Sequence, residues 1–354
     1  MRLLITGGAG FVGSSLALKW RRDWPEASIV VLDNLRRRGS EFNLPTLKAA
    51  GIHFVHGDIR CREDLSDLPG HFDLMIEASA EPSVLAGVDG SPDYLLNTNL
   101  VGSINCLEFA RRRVGAFLFL STSRVYSLDP LKSVPLIPGA SRFILDPDAK
   151  AQGLSARGIA EEFPTDRARS LYGASKLASE ILAQEYARQY GLKTVINRCG
   201  VIAGPGQFGK VDQGVFTLWV ANHHFQKPLQ YFGYGGTGFQ VRDLLHPEDL
   251  YQLIKRQWES VDRWDASTYN IGGGSKVSVS LAELTQLAQS ATGREVPIGI
   301  VAESHGVDIP WFITDSAKAE RAFAWQPQHD VNAIVADIAA WIRSNENTLR
   351  PLFA

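Results

Sequence analysis

The chain has 354 residues, of which 45% are hydrophobic, enough to bury a core in one large domain or two small ones. Its 36 Lys and Arg against 38 Asp and Glu give a net charge of −2, which excludes the basic surface that nucleic-acid binding requires. The N-terminal run MRLLITGG is too short for a signal peptide, and no segment approaches the roughly 18 apolar residues of a membrane span, so we expect a cytoplasmic protein without membrane partners.

The three cysteines, Cys61, Cys106 and Cys199, lie far apart and show no CxxC spacing. This pattern argues against a disulfide framework or a zinc site and suits a reducing compartment. We therefore expect no metal.

The first half of the chain alternates short apolar runs with segments of helical length. The strand-like runs are RLLIT (2–6), SIVVLD (28–33), HFVHGD (53–58), FDLMIEAS (72–79) and AFLFLSTS (116–123). Such alternation predicts an α/β fold, with a parallel sheet and crossover helices.

The second half is less regular. Residues 128–169 are rich in Pro, Gly, Asp and Arg and predict a long loop. A helix is predicted over 172–191, and KTVINRC (193–199) predicts a sixth strand. Aromatic and glycine-rich segments then predict a smaller C-terminal lobe, with helices around 281–290 and 331–344.

The segment TGGAGFVG places Gly7, Gly10 and Gly13 directly after the first strand, at the start of a helix. In this spacing the first glycine makes a tight turn, the second lets the backbone approach a pyrophosphate, and the third packs helix against strand. The helix N-terminus favours the anion. The segment predicts a dinucleotide site that includes Phe11 and Val12, and the alternative is an ordinary strand-to-helix turn.

Asp33 ends the second strand, about 20 residues after the last glycine, where a carboxylate can accept both adenosine ribose hydroxyls. This favours NAD over NADP. The arginines at 36–38 could meet a 2′-phosphate, but Asp33 would repel that group. Asp58 and Ile59 follow the third strand and either edge the adenine or form a simple turn. The other predicted cofactor contacts are Asn34, Ala78, Ser79, Ala80 and Asn99.

Tyr172 and Lys176, in SLYGASKLASE, are four residues apart and so share one face of a helix. Oxidising a secondary alcohol needs a base for the hydroxyl proton and an acceptor for the hydride. A tyrosine can be that base when an ammonium and an oxidised nicotinamide lower its pKa from about 10 toward neutrality. STSRVY closes the fifth strand, where Thr122 or Ser123 can hydrogen-bond the reacting oxygen. The alternative is an ordinary amphipathic helix.

Six motifs in order resemble the extended short-chain dehydrogenase/reductase family, which includes the nucleotide-sugar epimerases and dehydratases. They are TGGAGFVG, NTNLVGS, STSRVY, YGASK, VRDLLHPEDL and YNIGGG, and the likeness covers essentially the whole chain. The resemblance implies that NAD is bound, that Tyr172 is the base, that Lys176 contacts the nicotinamide ribose, and that Thr122 rather than Ser123 is the third catalytic hydroxyl. It also implies a homodimer and a structural Asn99 that ties a helix to a strand.

The resemblance further implies an α/β Rossmann fold, a doubly wound parallel sheet with a smaller C-terminal substrate-binding lobe. The NAD-binding Rossmann domain would comprise residues 1–198 and about 241–273. The nucleotide-sugar-binding lobe would comprise 199–240 and 274–354.

Three segments, GPGQFGKVDQGVF, GLSARGIAEEF and GTGFQVRDLLHPEDL, resemble the CDP-paratose/CDP-tyvelose 2-epimerases more than the UDP-galactose 4-epimerases. A dehydratase would carry an Asp-Glu pair after the threonine, where this chain has Ser123 and Arg124. Val201 and Ala203 depart from the family pattern N-x-Y-G-P. We expect epimerisation at C2 of a CDP-sugar through a transient keto-sugar, with the hydride returned from the same NADH.

Candidate substrate contacts lie in several segments. Arg242 resembles the family arginine that pairs with the nucleotide diphosphate, and its alternative partner is Asp243. Trp311 either lines the substrate pocket or belongs to the core. The other candidates are Ser123, Arg124, Glu81, Gln207, Phe208 and Gln213.

Two other functions stay open from the sequence. One is a UDP-sugar 4-epimerase, which Val201 and Ala203 make less attractive. The other is a non-catalytic NAD-binding or redox-sensing protein. Such proteins usually lose the tyrosine or the lysine, whereas this chain keeps Tyr172 and Lys176.

Overall fold

The structure, a computed structural model, describes residues 1–88, 90–209 and 214–353. The strands are β1 (Arg2–Thr6), β2 (Ser28–Asp33), β3 (His53–His56), β4 (Phe72–Glu77), β5 (Val114–Thr122), β6 (Leu136–Pro138), β7 (Phe143–Leu145), β8 (Leu154–Ser155), β9 (Gly158–Ile159), β10 (Lys193–Cys199), β11 (Val201–Ile202), β12 (Leu229–Phe232), β13 (Val241–Leu245), β14 (Thr268–Ile271), β15 (Ser278–Ser280), β16 (Ile298–Val301) and β17 (Trp311–Phe312). The helices are α1 (Phe11–Asp23), α2 (Leu44–Ala49), α3 (Arg62–Ser66), α4 (Asp93–Leu96), α5 (Gly102–Arg113), α6 (Leu128–Lys132), α7 (Leu171–Tyr190), α8 (Val215–His224), α9 (Pro247–Trp258), α10 (Leu281–Thr292), α11 (Ala317–Phe323), α12 (Val331–Ser344) and α13 (Glu346–Phe353).

Seven of these strands form one sheet in the order β14-β10-β5-β4-β1-β2-β3. The strands from β10 to β3 pair in parallel. They read as apolar runs because helices cover both faces of such a sheet. Since β1 lies between β2 and β4, the chain crosses to the other half of the sheet after β3. Ligands of α/β proteins bind at this switch point, outside the carboxyl ends of the strands. The predicted doubly wound parallel sheet is confirmed.

Two compact units make up the chain, and unit 1 comprises Met1–Val125, Ser170–Cys199 and Leu250–Tyr269. Its core joins sheet residues such as Leu4 and Phe117 to Leu107 of α5 and Ala183 of α7. Each fully buried side chain of leucine size stabilises the fold by about 1.5–3 kcal/mol. The core therefore holds α5 and α7 firmly against the sheet.

Unit 2 comprises Tyr126–Arg169, Gly200–Asp249 and Asn270–Ala354. Strand β13 pairs in parallel with β11 and β17 and antiparallel with β15. Buried side chains of α8, α10 and α12, including Trp219, form its core. The helices predicted around 281–290 and 331–344 correspond to α10 and α12.

The two units differ from the predicted domain division in two longer segments and at the boundary positions 199 and 270–273. Residues 126–169 belong to unit 2, since the Ile159 N–H donates to the Ile313 carbonyl (2.8 Å) and the Asp315 N–H donates to the Ile159 carbonyl (2.9 Å). Residues 241–249 belong there as well, because β13 pairs with strands of unit 2. These pairings join segments that are far apart in sequence, so local patterns do not indicate them.

Residues 128–169, predicted as one long loop, instead contain α6 and two hairpins. Strand β6 pairs antiparallel with β7, and β8 pairs antiparallel with β9. These strands have only two or three residues each. An alternating pattern of apolar residues needs a longer strand to be recognised in sequence.

Three further observations bear on the sequence expectations. No helix among the described residues has both the length and the apolar character needed to cross a membrane. Within the same described ranges, no three His, Cys, Asp or Glu side chains are grouped so that they could hold a metal ion. All three cysteines are free thiols, with Cys61 exposed and Cys106 and Cys199 buried.

Candidate active site

The glycine turn between β1 and α1 lies close to the backbone of the segment after β4 and to the first turn of α1. Gly7 has a φ of +66°, a left-handed conformation that other residues rarely adopt. A Cβ on Gly7 would lie 2.8 Å from the carbonyl oxygen of Ala78, and a Cβ on Gly13 would lie 2.3 Å from the carbonyl oxygen of Gly7. Because both conflicts are with backbone atoms, only glycine fits these positions.

This turn brings the N-terminus of α1 to the end of the sheet. The Gly10 N–H donates to the Gly7 carbonyl (3.1 Å), and the helix begins at Phe11. The first N–H groups of a helix, here those of Phe11, Val12 and Gly13, have no acceptor within the helix, and the helix dipole favours an anion beside them. A pyrophosphate is the kind of anion that such a terminus binds.

Asp33 ends β2 and is 9% exposed. Its Oδ2 accepts a hydrogen bond from the Ala9 N–H (3.1 Å), and its Oδ1 accepts one from the Leu35 N–H (2.8 Å). Burial raises the pKa of Asp33, and these two N–H groups oppose the rise. Each carboxylate oxygen can accept a second hydrogen bond, so Asp33 remains able to bind a ribose diol.

The arginines after β2 bear on the choice between NAD and NADP. The Arg36 guanidinium lies 3.9 Å from the centroid of the Tyr94 ring, and the Arg60 guanidinium lies 4.8 Å from the same centroid. Such cation–π contacts are each worth about 0.5–1 kcal/mol at exposed sites. A contact from Arg36 to a 2′-phosphate would have to break its stacking on Tyr94.

Asp58 and Ile59 follow β3 and have different surroundings. The Asn34 amide donates to Asp58 (2.8 Å). Burial alone would raise the pKa of Asp58, but hydrogen bonds from Arg60 and Asn34 outweigh it and lower the pKa to about 2. Ile59 is 3% exposed and packs in the core of unit 1. Asp58 is therefore an ionised member of a polar cluster, whereas the Ile59 side chain is a core residue.

The segment after β4 completes this edge of the sheet. Ala78, Ser79 and Ala80 are partly exposed, and the backbone of Ser79 lies against Gly7. Their small side chains leave room beside the glycine turn, the α1 terminus and Asp33. Together these groups offer N–H donors for a pyrophosphate and a carboxylate for a diol. The residues present therefore fit NAD.

Thr122 ends β5, and Tyr172 lies in the first turn of α7. The side-chain hydroxyls of Thr122 and Tyr172 form a hydrogen bond in which either can be the donor. Burial raises the pKa of Tyr172, while the Thr122 hydrogen bond and the nearby Arg124 guanidinium lower it. Since the net shift is upward, Tyr172 is a neutral phenol at neutral pH in the chain alone. Forming a phenolate requires further positive charge beside it.

Helix α7 carries Tyr172 and Lys176 on one face, as predicted for 172–191. Its N-terminus is capped by Ser170, whose Oγ accepts from the Gly173 N–H (3.1 Å). Lys176 is 2% exposed, and its Nζ lies 4.2 Å from the centroid of the Phe119 ring. Burial lowers the pKa of Lys176, and the carboxylate of Glu77 is the charge that most opposes this effect.

Asn99 lies in a π-helical turn (Asn97–Val101) and is fully buried. Its Oδ1 accepts from the Glu81 N–H (2.8 Å), and its Nδ2 donates to the Glu81 carbonyl (3.0 Å). Its backbone carbonyl accepts from Ser103 Oγ (2.9 Å) and Ser179 Oγ (2.9 Å). Asn99 thereby ties the segment after β4 to α5 and α7.

Ser123 and Arg124 form a 3₁₀ turn (Ser123–Val125) directly after β5 and are partly exposed. The Arg124 N–H donates to Thr122 Oγ1 (3.2 Å), so the turn helps to orient the threonine hydroxyl. Beyond burial and Thr122, the charges that act on Tyr172 include Arg124, which lowers its pKa, and Glu81, which raises it. These side chains therefore lie near the proposed base.

Arg242 lies on β13, in unit 2. Its Nη2 is 3.1 Å from Asp308 Oδ1 and 2.7 Å from the Ile309 carbonyl oxygen. The alternative ion pair with Asp243 is wrong, because adjacent strand residues point to opposite faces. Asp243 instead accepts from the Gly274 N–H (3.0 Å) and from Thr314 Oγ1 (3.1 Å), and burial raises its pKa to about 6. A diphosphate would compete with Asp308 for Arg242.

Three other substrate candidates of unit 2 have packing partners. Gln207 donates to the Ile202 carbonyl (3.0 Å) and accepts from Thr217 Oγ1 (2.7 Å). The Phe208 ring lies 5.8 Å from that of Trp341. Trp311 is 3% exposed. A substrate contact from Gln207 would have to break one of its hydrogen bonds. The remaining candidate, Gln213, lies outside the described residues.

Two features beside α7 were missed from the sequence. Glu77, at the end of β4, is 0% exposed, and burial raises the pKa of its carboxyl while the Lys176 ammonium opposes the rise. Glu180 of α7 forms a buried ion pair with Arg198 of β10 (2.7 Å) and accepts a hydrogen bond from Ser121 (2.5 Å). A carboxylate that ends an apolar strand such as FDLMIE is a sequence signal that could have found Glu77.

A sequence model of the NAD dependent epimerase/dehydratase family matches residues 3–272 of the chain. The CDP-paratose 2-epimerase of Salmonella typhi is 30% identical over 97% of this chain and 100% of the relative. The dTDP-glucose 4,6-dehydratase of Streptomyces antibioticus is 30% identical over 99% of this chain and 95% of the relative. The DesIV double mutant, a dTDP-glucose 4,6-dehydratase of Streptomyces venezuelae solved with NAD and DAU bound, matches with a TM-score of 0.76 at 27% identity, over 99% of this chain and 100% of that chain.

Proposed function

Because the chain belongs to the NAD dependent epimerase/dehydratase family of nucleotide-sugar enzymes, we propose that it inverts C2 of a CDP-linked sugar through a transient keto-sugar. The family membership confirms the resemblance drawn from the six motifs, and NAD is the cofactor. The ring carbon, the nucleotide base and the roles of individual residues belong to the proposal.

The observation that carries epimerisation over dehydration is the turn after Thr122. Elimination of water needs a proton donor and a proton acceptor beside the sugar, which in a dehydratase would be an Asp-Glu pair at this point. Here the positions hold Ser123 and Arg124. A guanidinium stays protonated at all working pH values and cannot serve as an acid or a base.

Epimerisation requires less from the protein. Tyr172, as the phenolate, takes the proton of the sugar hydroxyl, and the Thr122 hydroxyl can donate to the Tyr172 oxygen and so stabilise the phenolate before the transfer. Lys176 supplies positive charge on the same helix face. When bound, NAD would accept a hydride from the sugar carbon that becomes the ketone and would later return it. Tyr172 then returns the proton once the other face of the sugar is presented.

C2 and a CDP-sugar are supported by the likeness to the CDP-paratose 2-epimerase over nearly the whole of both chains. Val201 and Ala203 are a second reason to prefer this activity over that of a UDP-sugar 4-epimerase. Ala203 is fully buried, and neither side chain can hydrogen-bond a sugar hydroxyl.

The test is incubation of the protein with CDP-paratose, CDP-tyvelose, dTDP-glucose and UDP-glucose, with the products resolved by NMR. We expect inversion at C2 of the CDP-sugars and no loss of water from dTDP-glucose. Inversion at C4 of UDP-glucose would replace the proposal with the rival epimerase, and a 4-keto-6-deoxy product would establish a dehydratase.

A matched variant addresses the non-catalytic alternative. Tyr172→Phe keeps the ring but removes the proton-transfer group, so we expect turnover to fall by about 10²- to 10⁴-fold while NAD stays bound. Turnover that survives the substitution would exclude Tyr172 as the base. Absence of turnover in the unaltered chain with all four sugars would favour an NAD-binding protein without catalytic activity.

We also propose a homodimer that works in the cytoplasm. Apolar side chains of α7 are exposed at Leu171 (42%) and Ile181 (53%), and Val101 in the neighbouring π-helical turn is 41% exposed. Exposed apolar residues on adjacent helices suit a self-association surface. Light scattering of the purified chain would measure the mass of the assembly, and a monomer would contradict the proposal.

A further inference from the structure

Glu77 is a buried carboxylate at the carboxyl end of β4. It is 0% exposed and stands in register with Thr6 of β1 on one side and Phe119 of β5 on the other. Isolating an ionised carboxylate from water is costly unless it is paired and hydrogen-bonded. The chain must therefore provide compensation for Glu77, and the groups that do so indicate its role.

Hydrogen bonding compensates Glu77 only in part. Its Oε1 accepts a hydrogen bond from Ser103 Oγ of α5. Its Oε2 receives no hydrogen bond from the described residues. With only this bond and a weak one from the Cys106 thiol, the buried carboxylate needs a positive charge close by.

Lys176 provides that charge. Its Nζ lies 4.2 Å from the centroid of the Phe119 ring, and Phe119 is the register partner of Glu77. Register partners on adjacent strands project from the same face of a sheet. Both side chains are buried, at 2% for Lys176 and 0% for Glu77, and each charge favours the ionised form of the other against the effect of burial.

A relay of hydrogen bonds keeps α7 in this position. Ser103 Oγ lies within hydrogen-bond distance of both Glu77 and the backbone carbonyl of Asn99 and can donate its single proton to either. Ser179 of α7 donates to the same carbonyl. Ser179 follows Lys176 by three residues, so it lies on the same face of α7. These hydrogen bonds thus help to fix the position of Lys176 relative to Glu77.

The other titratable groups around the pair do not take over this role. The residues that act on Lys176 besides Glu77 are Cys199, Glu180 and Cys106. Glu180 is already bound to Arg198 at 2.7 Å. Burial raises the pKa of both thiols, so Cys106 and Cys199 are uncharged at neutral pH.

We propose that Glu77 is a positioning residue for Lys176, whose ammonium form and location beneath Tyr172 depend on the Glu77 carboxylate. The proposal rests on the proposed function for its catalytic consequence, since the ammonium is what favours the Tyr172 phenolate. Glu77 itself touches neither substrate nor cofactor in this mechanism.

The catalytic consequence is tested by Glu77→Gln, which keeps the shape of the side chain and removes its charge. With the nucleotide sugar that the screen shows to be turned over, we expect the alkaline limb of the kcat profile to move to lower pH by about one unit or more, because Lys176 loses its proton more readily. The acid limb should stay in place. Glu77→Asp, which keeps a carboxylate at this position, should shift the alkaline limb less than Glu77→Gln does. An unchanged alkaline limb in Glu77→Gln would overturn the proposal.

A second test uses the chain alone and does not depend on the reaction. The thermal unfolding midpoint is measured for Glu77→Gln, Lys176→Met and the double variant. Lys176→Met leaves a buried carboxylate without its cation, so we expect the double variant to unfold at a higher temperature than Lys176→Met. If the decrease in unfolding midpoint of the double variant equals the sum of the decreases in the two single variants, the two residues are not paired. If the pairing holds but none of the sugars is turned over, the proposed function has failed and the pair has not.

Discussion

The side-chain hydroxyls of Thr122 and Tyr172 form a hydrogen bond, which joins the end of β5 to the first turn of α7. The bond lowers the pKa of Tyr172 against the larger opposite effect of burial. It is therefore one of the groups that make a phenolate accessible at Tyr172.

Thr122→Val removes this donor while keeping the shape of the side chain. A hydrogen bond to a charged group is worth about 1.5–3 kcal/mol, so we expect kcat/KM to fall by about 10- to 100-fold. Steady-state kinetics at fixed pH measure the loss. Thr122→Ser, which keeps the hydroxyl, should retain most of the activity, and an equal loss in both variants would assign the effect to packing.

Arg124 should set the pH at which Tyr172 becomes active. Its guanidinium lowers the pKa of Tyr172, so Arg124→Met raises that pKa. Because the phenolate is the active form, the acid limb of the kcat/KM profile should move to higher pH. Arg124→Lys, which keeps a positive charge, should shift it less. Profiles that coincide for all three proteins would show that Arg124 does not act on the base.

Gly13→Ala should disrupt the cofactor site. The added Cβ would lie 2.3 Å from the Gly7 carbonyl oxygen, so α1 must move away from β1. We expect the Kd for NAD, measured by calorimetry, to rise more than tenfold, with a lower Tm.

Gly90→Ala is the control for this change, since a Cβ at Gly90 would meet no atom within 4 Å. It should leave both the Kd for NAD and the Tm unchanged. If Gly13→Ala bound NAD as tightly as the unaltered chain, the close approach of Gly13 to the turn would not matter for the cofactor.

The buried pair of Arg198 and Glu180 should stabilise the position of α7. Arg198→Met leaves the Glu180 carboxylate, which is 2% exposed, without its cation at 2.7 Å, so we expect a loss of about 3–5 kcal/mol in the free energy of unfolding. Urea unfolding measures it. The matched control is Arg112→Met, which breaks an exposed pair with Glu108 and should cost about 0.5 kcal/mol or less. Equal losses in the two variants would contradict a special role for the buried pair.

Much of unit 1 is readable from the sequence because its elements depend on neighbouring residues. The apolar runs predicted for β1 and β2 match the strands, since a covered parallel strand needs an unbroken apolar stretch. The spacing of the glycines and of Tyr172 and Lys176 follows from the geometry of one turn and one helix. Family membership and NAD follow from these same local motifs.

Other features arise only where distant segments meet. The short hairpins of 128–169, the partner of Arg242 and the domain limits depend on strand pairings that no local period encodes. The same holds for Glu77 and Lys176, which are separated by about a hundred residues and come together because β4 pairs with β5 and Lys176 of α7 packs over Phe119 of β5. Local residue order therefore specified the turns and helices that carry the chemistry. The folded chain specified which charges surround them, because electrostatic effects depend on distance in space and on burial rather than on separation in sequence.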